Sequence, residues 1–94
     1  MACHIVHFQN LTAIAAKLWE LTEIERYIME KVKEKRKELK MTQAHLSFLL
    51  EKNDSFVAQV EANQNRLKYN INHVNALAKI FNCSPRDFLP ENPV

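Results

Sequence analysis

TQAHLSFLLEKNDSFVAQVEAN, running from Thr42 to Asn63, carries its apolar residues in two groups. Leu46, Leu49 and Leu50, then Phe56, Val57 and Val60, recur at three and four residues, the period of a helix face, on either side of the polar run Glu51 to Ser55. This pattern describes two short helices packed on each other across a turn, not one long helix. Thr42 stands where the first helix wants an N-cap, and Asn53 or Asp54 can accept from the free N–H groups that open the second.

Downstream, Ile71, Val74, Leu77, Ala78 and Phe81 form a helical apolar stripe after Asn70, and Asn82 falls where a helix end needs a left-handed residue. Ser84-Pro85-Arg86-Asp87 has the cap, first-turn proline and acidic third residue of a new helix start, which would let Phe88 and Leu89 pack on the bundle before Pro90 and Pro93 end the structure. Upstream, Leu11, Ile14, Leu18, Leu21, Ile28 and Val32 form a heptad-like stripe interrupted by Glu25. Thr22-Glu23-Ile24-Glu25 has capping-box spacing, which divides this region into an extension helix over 11–21 and a domain helix over 23–39. The extension's stripe suits the chain's own core or a dimer seam made by Leu11, Ile14, Leu18 and Leu21. His4-Ile5-Val6-His7-Phe8 alternates as a half-buried strand would, or forms a tail.

At 94 residues the chain is the size of one domain with a modest core, which a second copy would enlarge. The reading divides it into an extension (1–22), a helical domain (23–90) and a tail (91–94). Its two cysteines, Cys3 and Cys83, and the lack of a signal peptide or long apolar run suggest a reduced, soluble, cytoplasmic protein that neither spans nor anchors in a membrane. Cys3, His4 and His7 lack the second ligand pair of a zinc site, so no metal is expected. With no glycine anywhere, there is no phosphate-cradling loop or nucleophile elbow, and His45 and His73 stand alone on helical patterns. Neither catalysis nor a cofactor is indicated.

The net charge of +2 is unevenly distributed. Lys31, Lys33, Lys35, Arg36, Lys37 and Lys40 face only Glu34 and Glu38 between positions 31 and 40, whereas residues 1–30 are acidic and 41–94 balance. Such a cluster attracts phosphates, and on charge alone it is equally a solvated helix face carrying i,i+3 pairs.

Taken together, KVKEKRKELKMTQ, the Thr42–Asn63 unit and ALAKIFNCSPRDFL (Ala76–Leu89) resemble the phage repressor and Cro family, the Xre-type helix-turn-helix domain, over about residues 26–90. The resemblance implies an all-α, five-helix DNA-binding bundle, here with an additional N-terminal helical extension that the resemblance does not cover. Two departures are visible. Glu51 stands where the family has glycine in its turn, a place where a side chain costs about 1–2 kcal/mol, which leaves a different turn geometry open. Asp54 occupies a DNA-facing position, where a carboxylate is repelled by phosphate but can accept from a cytosine amino group, or serve as a cap.

By family position, Asp54, Ser55, Phe56 and Gln59 are nominated as base contacts, with the Gln59 amide suited to bidentate pairing with adenine. Phe56, an aromatic within an apolar stripe, is alternatively core. Phosphate contacts are nominated at Gln43, Asn53, Asn63, Gln64, Asn65, Arg66 and Lys68, the polar loop being alternatively an ordinary connection. Arg36 and Glu61 match a structural ion pair of the family. The implied protein is a homodimeric transcriptional regulator bound to an inverted repeat on double-stranded DNA. The alternative is an interaction module, antitoxin-like or an adaptor, that grips a protein partner through its N-terminal helix.

Overall fold

The computed structural model describes residues 21–63 and 66–94. Among these residues the chain forms four α-helices, α1 (Glu23–Glu38), α2 (Gln43–Leu49), α3 (Phe56–Ala62) and α4 (Ile71–Phe81), followed by a single turn of 3-10 helix, Pro85–Phe88. The all-α expectation holds, but the fifth helix of the expected bundle is a 3-10 turn. Ser84 and Asp87 form the capping box foreseen for it. Leu89 leaves the helical region at φ −108°, ψ 147° because the ring of Pro90 excludes the α conformation from the residue before it. Phe88 is fully buried while Leu89 is left 36% exposed. The extension helix over 11–21, the strand over 4–8, and the seam positions Leu11, Ile14 and Leu18 lie outside the described residues.

α1 begins at a capping box. The Thr22 hydroxyl accepts from the Glu25 N–H at 3.3 Å, and Glu25 Oε1 accepts from the Thr22 N–H at 2.9 Å. Ile28, Met29 and Val32 line its inner face, with Arg36 buried on the same side one turn on. Leu21, nominated for the dimer seam, is instead buried in the domain's own core just ahead of this helix. The centre of the fold is Val32, Leu46, Val57, Val60, Val74, Leu77 and Phe88, all essentially closed to water. α4 is held at its start by Asn70, whose side chain accepts from the His73 N–H at 2.9 Å while His73 Nδ1 accepts from the Asn70 N–H at 3.0 Å. Ile71, the first residue of that helix, is 72% exposed, so the stripe begins at Val74.

Without glycine, the helices still end on left-handed residues: Lys40, Glu51, Asn63 and Asn82 have φ between 55° and 59°. After α1, the Lys40 N–H bonds the Lys37 carbonyl and the Met41 N–H bonds the Arg36 carbonyl, the paired bonds of a Schellman motif. The same pairing recurs from Glu51 and Lys52 to Phe48 and Ser47, and from Asn82 and Cys83 to Lys79 and Ala78. Glu51 thus takes the left-handed turn that glycine would occupy, and the turn after α2 keeps its Schellman geometry.

Candidate nucleic-acid interface

α3 has only seven residues, too few to persist alone, so the placement of its outer face depends on what clamps it. Phe56, Val57 and Val60 provide an apolar anchor. At its opening the cap comes from another helix. Ser47 Oγ, fully buried on α2, accepts from the Val57 N–H at 3.0 Å and donates to the Gln43 carbonyl at 2.8 Å. Asn53 contributes just ahead of the helix, its Oδ1 accepting from the Ser55 N–H at 3.1 Å and from Ser55 Oγ at 2.8 Å. Ser55 holds the N-cap position without a side-chain cap bond. The expectation that Asn53 or Asp54 caps α3 is thereby corrected: Asn53 builds the turn before it, and Ser47 satisfies the helix N–H.

At the far end, Arg36 meets Glu61 through two parallel bonds, Nε to Oε2 and Nη2 to Oε1, both 2.9 Å. Its remaining nitrogen, Nη1, donates to the Met41 carbonyl at 2.8 Å, and Gln43 Nε2 donates to Glu61 Oε1 at 2.9 Å. The paired side chains are 9% and 4% exposed, a depth at which such charges persist only with all their hydrogen bonds filled. α1, α2 and α3 are therefore joined by one polar knot. Gln43, nominated for phosphate, spends its amide on Glu61.

Gln59 and Ser55 face outward from the clamped helix. Gln59 is exposed, and its amide donates to Ser55 Oγ at 3.1 Å, so Asn53, Ser55 and Gln59 form a hydrogen-bonded row along the outer surface. Asp54 is exposed in the turn beside them. Phe56, nominated as a base contact, points the other way. It is buried, with its ring edge-on to His73 at 5.2 Å and to Tyr69 at 6.1 Å and with Lys52 Nζ 5.6 Å from its centroid. A helix that buries positions 56, 57 and 60 cannot also present 56 to a groove.

In the following loop, Arg66 is exposed, and Lys68 is paired with Glu25 at 3.0 Å. Asn63 takes the left-handed position that closes α3, and its Oδ1 is buried with no hydrogen-bond partner among the described residues. Gln64 and Asn65 lie outside the described residues. Behind the loop, burial pushes the Tyr69 hydroxyl far up, Glu61 adding to the effect and Arg36 opposing it. Burial also lowers the imidazole of His73, assisted by Lys52, while the Lys68 carbonyl works the other way.

The bridge made by Ser47, the engagement of Gln43 with Glu61 and the tie from Glu25 to Lys68 were not evident in the sequence. For Ser47 a signal existed: a hydroxyl four residues after Gln43, inside an apolar stripe, can bond back to the helix carbonyl. The tie from Glu25 to Lys68 joins distant segments and leaves no periodic trace. Among the described residues no group of His, Cys, Asp and Glu is placed to hold a metal, and no helix is long and apolar enough to cross a membrane. No protein-family model, curated protein or solved structure matches the chain, so the reading of this surface rests on its own residues.

Proposed function

We propose that the chain is a sequence-specific DNA-binding regulator of the repressor type, with α2 and α3 as its helix-turn-helix, α3 as the reading helix, and two copies addressing half-sites about 34 Å apart. The observation that carries this reading is the outward row Asn53–Ser55–Gln59 on a short helix fixed from behind by Ser47 and by the Arg36–Glu61–Gln43 knot. A base-reading amide needs such preorganisation, since a helix free to tilt cannot hold a bidentate geometry. Gln59 and Ser55 are the base-facing groups, Asp54 borders them, and Arg66 with the lysines of residues 31–40 supplies phosphate attraction, Arg36 being spent on Glu61. Gln43 and Phe56 act from within the fold.

The test is selection of bound fragments from random duplex DNA, followed by titration at several salt concentrations. Specific binding should fall steeply with salt. Gln59→Ala should cost about 1–3 kcal/mol on the selected site and leave random DNA unaffected. Equal loss on both would remove Gln59 as a reader.

A second reading, an interaction module, is favoured by Phe48, which stands 73% exposed on α2. A tight heteromeric complex without DNA affinity would establish it in place of the first.

A further inference from the structure

Lys68 lies in the loop that follows α3, where a basic side chain is placed to meet a phosphate, yet its ammonium sits 3.0 Å from Glu25 Oε2. The other oxygen of that carboxylate, Oε1, accepts the Thr22 N–H at the start of α1. One side chain thus serves two tasks, one oxygen holding a helix end and the other holding the loop. Both partners keep some contact with water, at 37% and 23% exposure, so the pair can exchange with an incoming anion without unfolding anything.

Resting on the DNA-binding reading, we propose that Glu25 sets the phosphate affinity of the surface by acting as an intramolecular counterion to Lys68, which a DNA phosphate must displace. A phosphate at Lys68 gains an ammonium but breaks the pair already present and leaves a carboxylate beside the DNA backbone. Lys68 therefore contributes less to binding than an unpaired lysine would. The two tasks of Glu25 are separable, because glutamine serves the capping box as well as glutamate does but carries no charge.

The test is a double-mutant cycle on duplex DNA with the full chain: wild type, Glu25→Gln, Lys68→Gln and the double variant, each checked by circular dichroism to be fully folded at the binding temperature. Glu25→Gln should bind about two- to fivefold tighter at low salt, the worth of a partly exposed ion pair, and its salt dependence should steepen by up to about one phosphate contact. In the Lys68→Gln background the same substitution should have no effect. A gain that persists without Lys68 would mean that Glu25 merely repels DNA, and no gain would mean that the pair does not compete; either overturns the proposal and leaves the DNA reading standing. Failure of all four proteins to bind any duplex at low salt would overturn that reading and the proposal with it.

Discussion

Glu61 receives three hydrogen bonds on two oxygens, two from Arg36 and one from Gln43, at a site almost closed to solvent. Removing either charge leaves the other buried and unmatched. Glu61→Ala should therefore destabilise the fold by about 3–5 kcal/mol in urea unfolding, far more than a surface ion pair could account for. Exchanging the two charges, Arg36→Glu with Glu61→Arg, should restore only part of this loss. Gln43 and the Met41 carbonyl are placed for a carboxylate on α3 and a guanidinium on α1. If the double variant melts no higher than the single ones, the two side chains are not energetically coupled. Both residue types were visible in the sequence through a family pattern; the engagement of Gln43 was not, because Gln43 looked like any exposed polar residue at a helix start. Phe56 shows the same limit from the other side, since its period in the stripe already argued for burial and only its family position argued for exposure.

The helix starts were legible because capping is local: Thr22, Thr42, Asn70 and Ser84 each bond within three residues. α3 was the exception, its opening N–H being satisfied from α2. Helix ends were legible at Asn82 but not at Lys40 or Glu51, which lack the side-chain chemistry that makes asparagine tolerant of the left-handed region. That strain has a measurable consequence. Glu51→Gly should stabilise the protein by about 0.5–1 kcal/mol, the relief of the Cβ conflict less the extra entropy of glycine in the unfolded chain. A loss of stability on denaturant unfolding would mean that the Glu51 side chain contributes more than its backbone costs.

At the scale of the whole molecule, two of the described groups couple protons to the fold below neutral pH, in separate windows. His73 has its pKa lowered by burial and by Lys52, so the unfolded chain binds a proton at that site more readily than the folded one. Its contribution is fully present above the unfolded value of 6.5 and is lost as pH falls from there through the lowered folded value. Glu25 is pushed up by burial but held below its ordinary 4.5 by the Thr22 N–H and Lys68, so its contribution disappears only further down, as pH falls below 4.5. Urea midpoints should decline from pH 7 to 5, and His73→Gln, which keeps a side-chain acceptor at the cap, should flatten that decline without altering the one below 4.5. An unchanged slope would show that another group titrates. Such long-range properties were beyond the sequence, because they depend on which loop lies against which helix. One oxygen atom illustrates the point. Ser47 Oγ bridges the backbone of α2 to the backbone of α3. A single hydroxyl thus helps fix the angle between the helix that bears the exposed Phe48 and the helix that bears the exposed Gln59.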